Sequence, residues 1–174
     1  MLKKIVSKWQ LLRRKRLYRY AIDLTVLLVF IVAIRAYVSR DLIQGIAPQI
    51  QAKTLQGQAV NLHASDPRPL LLHFWASWCP ICALEEESIE RLSKDYNVIT
   101  VAMQSGDADE VHQYLKEHNL SFPVINDPDG LISQSYGLRG VPSSFIIDAK
   151  NQIRFSEAGY TTGAGLQLRL WLAK

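Results

Sequence analysis

Hydrophobic and polar positions change rhythm several times along this chain. The first long apolar run is Tyr20 to Val38, broken only by Asp23, Thr25 and Arg35. Nineteen helical residues rise about 28 Å, close to the ~30 Å hydrocarbon thickness of a bilayer. Both charges lie near the ends of the run, where a side chain can reach the interface. Tyr18, Tyr20 and Tyr37 suit the two interfacial belts. The pattern then loosens, with Gly45 and Pro48 as punctuation, and residues 39–49 read as a linker.

From Ile50 the alternation becomes regular. Ile50–Thr54 and Ala59–Leu62 flank Leu55-Gln56-Gly57-Gln58 and predict a hairpin. Leu70–Trp75 is apolar nearly throughout, as in a strand buried on both faces. Pro80–Asp95 has helical spacing at Ile81, Leu84, Ser88 and Leu92. Val98–Met103 predicts a second buried strand, and Asp107–Asn119 a helix with Asp107 as N-cap. A strand at Phe122–Ile125, a short helix through Tyr136, strands at Ser144–Asp148 and Ile153–Glu157, and a helix from Thr162 to Ala173 complete the series. Strands alternating with helices imply a parallel core, to which the last hairpin adds an antiparallel edge. The expected fold class is α/β, a three-layer domain with a central mixed sheet over residues 50–174, preceded by one transmembrane helix.

Charge sharpens the division. Residues 1–19 carry eight Lys and Arg and no acid, whereas Asp41 to Lys174 holds ten Lys and Arg against fifteen Asp and Glu, a net of −5. A nucleic-acid footprint would place basic residues on the folded part, so no nucleic-acid partner is expected. The basic residues precede the apolar run, which predicts a cytoplasmic arm at 1–19, an anchor at 20–38 and an extracytoplasmic domain. Two other readings of the run are a cleaved signal peptide and a buried core helix. No small-x-small cleavage site follows it, which argues against the signal peptide.

The two cysteines of the chain are Cys79 and Cys82, in Trp78-Cys79-Pro80-Ile81-Cys82. Spending both on one such pair reads as a dithiol that cycles to a disulfide. Cys79 stands where a strand gives way to a helix whose first residue is Pro80, which has no N–H to orphan there. Helix N–H groups and the macrodipole then favour the thiolate, the nucleophilic form. Cys82, one turn in, is the expected resolving thiol. A CxxC is also half of a zinc site, and His112 and His118 form an H-x5-H pair. Residues six apart on a helix point about 120° from each other, which speaks against a shared metal, so no metal ligand is assigned. Cu(I) on the same thiolates is a further possibility.

Phe74-Trp75-Ala76-Ser77-Trp78-Cys79-Pro80-Ile81-Cys82 resembles the active-site segment of the thioredoxin superfamily. Gly137-Leu138-Arg139-Gly140-Val141-Pro142-Ser143 resembles its second signature, a loop with a cis proline. The extra helix and strand within Asp107–Ile125 resemble the membrane-anchored TlpA/ResA-type proteins. With the anchor, Ala102-Met103-Gln104-Ser105-Gly106 and the acids after Cys82, the chain is most similar to the suppressor-of-copper-sensitivity D type of protein disulfide oxidoreductase.

The resemblance implies that Pro142 is cis and faces the cysteines. Trp78, Val141 and Pro142 would present the substrate, with the Val141 backbone pairing with its peptide. It implies a redox-active Cys79–Cys82 disulfide and no organic cofactor. The implied partners are cysteine-containing extracytoplasmic proteins and a transmembrane thiol reductase as electron donor. His73 stands where thioredoxin has a buried acid; a neutral imidazole there would shuttle the Cys82 proton or simply be a satisfied buried histidine. Glu85 matches the acid that TlpA/ResA-type proteins carry after the CxxC, and is the second candidate for proton transfer. Glu87 replaces a helix-kinking proline of many relatives, so a straighter active-site helix is expected. The implied activity is a periplasmic reductase in the bacterial inner membrane; a disulfide-forming oxidase and a copper-handling thiol module are the alternatives.

Overall fold

The computed structural model describes residues 18–34, 37, 42–62 and 69–174. The basic arm before Tyr18, the start of the linker and the proline pair at 67–69, except Pro69 itself, lie outside the described residues. Two units separate, Met1–Arg40 and Asp41–Lys174.

In the first unit, residues 18–34 form a helix, α1, whose side chains are all exposed, Val26, Val29, Phe30 and Val32 among them. Among the described residues no helix is long and apolar enough to cross a membrane. Arg35, Ala36 and Val38, which complete the expected anchor, are not among them.

The second unit has a six-stranded sheet in the order β1-β8-β7-β4-β5-β6. Its strands are β1 (Gly45–Ile46), β4 (Leu70–Trp75), β5 (Asn97–Met103), β6 (Val124–Asp127), β7 (Ser143–Ile147) and β8 (Gln152–Ala158). β4, β5 and β6 run parallel, while β7 is antiparallel to both β4 and β8, giving the mixed sheet. Every residue of β4 is buried, which is why its sequence shows no alternation. The helices are α2 (Pro80–Ala83), α3 (Glu86–Asp95), α4 (Ala108–Glu117), α5 (Leu131–Ser135) and α6 (Gly163–Leu172).

Alternate residues of the central strands feed two cores. Leu71, Trp75, Val98 and Ala102 pack with Ile89, Leu92, Val111, Leu115, Leu166 and Leu170. Leu72, Phe74, Val101 and Phe145 pack with Tyr136, Leu42, Ala47 and Ile50. This is the three-layer thioredoxin-like arrangement. The separate hairpin of β2 (Gln51–Lys53) and β3 (Ala59–Asn61) covers the outer edge of β6. Its turn donates Leu55 N–H to Val124 O at 2.7 Å, and the Gln56 amide bonds both Phe122 O and Val124 N. An edge strand is thereby closed to outside pairing.

Two expectations are corrected. The linker is shorter than residues 39–49: Gly45 and Ile46 pair with Ile153 and Gln152, and Leu42 and Ala47 are buried. Burial of these apolar groups holds that stretch in the domain. The single straight helix over Pro80–Asp95 is also absent, since α2 ends and α3 begins around Leu84 and Glu85. Leu84 N–H bonds Ile81 O and Glu85 N–H bonds Cys82 O, a tight i to i−3 turn, before Ile89 N–H picks up Glu85 O. The break turns the Glu85 carboxyl inward, where Thr161 N–H donates to it, and leaves Leu84 exposed. The break coincides with a buried polar contact, and no proline stands at it.

Candidate active site

β4 and β5 deliver two loops to the same end of the sheet. Cys79 follows β4 and N-caps α2 in extended conformation (φ −96°, ψ 106°), with Pro80 in the first turn. Its Sγ accepts the Cys82 N–H at 3.3 Å, so a helix N–H points at the sulfur as the motif predicts. The Cys79 thiol in turn donates to Val141 O at 3.5 Å, across 62 positions of sequence. The Val141–Pro142 peptide is cis, and Pro142 O accepts Gly159 N–H at 2.8 Å. The cysteine pair and the proline loop thus meet, because β7, which follows Pro142, lies antiparallel beside β4.

Both cysteines are unbridged, Cys79 at 6% exposure and Cys82 at 1%. The difference suits an outer and an inner thiol. Burial pushes the Cys82 thiol strongly up, and its hydrogen bond with Cys79 and the nearby charges of Cys79 and Glu85 add to this, while a backbone bond with Ala76 works the other way. Trp78 is exposed beside the pair, its indole N–H donating to Gln104 O at 2.9 Å. Ser77 N–H donates to Ser105 Oγ at 3.0 Å, so the loop after β5 braces the loop after β4. Gln104 holds a left-handed φ of 47° to make this contact.

Beneath the dithiol lie His73 and Glu85, both buried, with Nε2 and Oε2 3.8 Å apart. Burial takes the His73 ring down to about 3, so it is neutral. Burial pushes Glu85 up to about 7, against the Thr161 N–H bond that favours its charge. Ser144 and Thr161 carry no mark in the sequence that links them to this pair. Ser143 and Ser144 are buried serines that open an otherwise apolar strand, the one available signal. His118 sits elsewhere, on Glu86 at 2.8 Å and stacked on Tyr114. Tyr114 also donates to Glu86. Among the described residues no three His, Cys, Asp or Glu side chains gather as a metal would require.

The AhpC/TSA family model matches residues 43–156. A thioredoxin-like protein of Haemophilus influenzae is 29% identical over 92% of this chain and 96% of its own. The thiol-disulfide oxidoreductase ResA of Bacillus cereus is 32% identical over 62% of this chain and 64% of its own. Among solved structures, a thiol:disulfide interchange protein DsbE of Chlorobium tepidum superposes with a TM-score of 0.68 at 25% identity, covering 76% of this chain and 98% of that one. With two unbridged cysteines meeting a proline loop on this fold, the chain belongs to the AhpC/TSA family and is a thioredoxin-like thiol-disulfide oxidoreductase of the DsbE and ResA type.

Proposed function

We propose that this enzyme is a membrane-anchored, periplasmic reductase of protein disulfides, with Cys79 as nucleophile and Cys82 as resolving thiol. The observation that carries the site assignment is the Cys79 sulfur, capped by a helix N–H and set against Val141 O. Cys79 thiolate attacks one sulfur of a substrate disulfide, and the other leaves as a thiolate that takes a proton. Cys82, deprotonated, then attacks Cys79 Sγ and expels the second substrate thiolate. The substrate gains two electrons and two protons, and the enzyme ends as the Cys79–Cys82 disulfide, its sole redox group; no organic cofactor is assigned.

Trp78, Val141 and Pro142 present the substrate chain, and the exposed Ile81 and Leu84 widen the apolar rim. A cavity of about 290 Å³ is lined by Gln104, whose carbonyl holds the Trp78 indole, with Gly130, Leu138 and Arg139, and suits one substrate side chain. Glu85 takes the Cys82 proton. Residues 20–38 anchor the chain in the inner membrane with the N-terminus cytoplasmic; the exposed apolar side chains of α1 and the basic arm before it support this. A periplasm is oxidising, so a reductase there draws electrons from a transmembrane thiol reductase and passes them to cysteine-containing extracytoplasmic proteins.

Thiol trapping on intact cells with a membrane-impermeant alkylating reagent tests both place and direction. Labelling of Cys79, the outer thiol, without prior reduction is the expected result. Labelling only after reduction would favour a disulfide-forming oxidase. Labelling only in denatured lysate would overturn the topology.

A further inference from the structure

Glu85 is satisfied on one side only. Oε1 accepts Thr161 N–H, while Oε2 is buried with no hydrogen-bond partner. What faces Oε2 is His73 Nε2, at 3.8 Å. That gap is too long for a direct hydrogen bond and too short for a bridging water, which needs roughly 4.5 Å between the atoms it joins. A side-chain shift of under about 1 Å closes it. The other ring nitrogen, Nδ1, stands 2.9 Å from Ser144 Oγ. A serine hydroxyl can donate or accept, so it satisfies either neutral tautomer of the ring.

We propose that His73 is a positioning residue for thiol exchange that acts on Glu85 and not directly on Cys82. It offers Nε2–H to Glu85 Oε2, and Ser144 holds that tautomer by donating its hydroxyl to Nδ1. The proposal rests on the reading of Cys82 as the resolving thiol.

In the resolving step the Cys82 S–H proton passes to the Glu85 carboxylate. The freed sulfur bonds to Cys79 Sγ, the bond between Cys79 and the substrate breaks, and its electron pair leaves on the substrate sulfur. Glu85, now an acid, carries the new proton on Oε1, and the ring keeps its single proton on Nε2, where it goes on donating to Oε2. Without His73, Glu85 Oε2 would be buried unmatched, and the charged carboxylate would suffer more than the acid. The groups that bear on Glu85 come from three elements: His73 on β4, Cys82 with Cys79 at α2, and Thr161 N–H before α6. Glu85 acts electrostatically on the Cys82 thiol, and burial keeps the histidine ring neutral, so it acts as a hydrogen-bond donor and not as a charge.

The test uses the full chain. The rate of mixed-disulfide resolution with a model peptide disulfide is followed from pH 5 to 9 for the wild type, His73→Leu, His73→Asn and His73→Gln, and again in a Glu85→Gln background. Circular dichroism checks folding. Losing the Nε2–H donor disfavours the Glu85 carboxylate, so the rising limb should move up by about one pH unit, a tenfold loss at fixed pH on that limb. Asn reaches Ser144 but not Glu85 and should shift the limb as Leu does, which keeps the test open if Leu does not fold. Gln reaches Glu85 and should restore the limb. In the Glu85→Gln background the His73 substitutions should add no shift. A shift that persists there would place His73 directly on Cys82, and an unmoved limb in folded His73→Asn would leave the histidine purely structural; either overturns the proposal. A wild-type protein with no exchange activity would instead fail the functional reading beneath it.

Discussion

Glu85 and His73 load the folded protein with opposite pH dependences. Glu85 rises from 4.5 to about 7 on folding, so the native state binds the extra proton between those values and stability falls as pH rises through them. His73 falls from 6.5 to about 3, so stability is lost as pH drops through that range. The two slopes oppose each other from pH 4.5 to 6.5. Glu85→Gln removes one of them, and relative to the wild type this variant should gain on the order of 3 kcal/mol between pH 4.5 and 7, read from urea midpoints. At the sulfurs, Cys79→Ser should lower exchange by roughly a hundredfold or more, and Cys82→Ser should accumulate substrate bound to Cys79, seen by mass spectrometry as a reducible adduct. The pair was legible in the sequence because both cysteines sit in one motif. The satisfaction of His73 was not, since Ser144 lies 71 positions away and joins it only through strand pairing.

Among the elements, α4 shows how local signals carry. Asp107 accepts from Asp109 and Glu110 N–H groups, and the Glu110 carboxylate returns to Asp107 N–H, a capping box visible in the order Asp-x-x-Glu. Gly106 before it holds a φ of +93°, and a Cβ there would fall 2.0 Å from Glu110 Oε2. Gly106→Ala should therefore strain the backbone, open the box and cost about 1–2 kcal/mol in a thermal or urea melt. It should also slow exchange, because the same loop braces Ser77 and Trp78. The break between α2 and α3 was illegible by contrast. Helical spacing runs unbroken through Pro80–Asp95, and the Thr161 N–H that the Glu85 carboxyl meets at the break lies 76 positions away, which no local pattern reports. β6 begins at Val124, two positions later than expected, because Ser121 and Phe122 are held by the Glu90 carboxylate instead of by a strand neighbour.

For the whole molecule, the order of strands and helices read from the sequence matches the structure, since long apolar strands and amphipathic helices announce themselves. β1 did not, having two residues and a partner strand more than a hundred positions away. Its place in the sheet predicts where the domain can be cut. A chain beginning at Asp41 should fold, whereas one beginning at Ile50 loses Leu42 and Ala47 from the core and should be less stable by roughly 2–4 kcal/mol in urea. The burial of Cys82 has a consequence for the molecule's timing. A resolving thiol that burial keeps protonated must first give up its proton, so in the proposed cycle a captured substrate waits for that transfer. During that dwell the substrate's own departing thiolate can return and undo the capture. In that cycle a loosely seated partner would leave unchanged and one that grips the proline loop would stay long enough to be reduced, a selection by residence time as well as by fit.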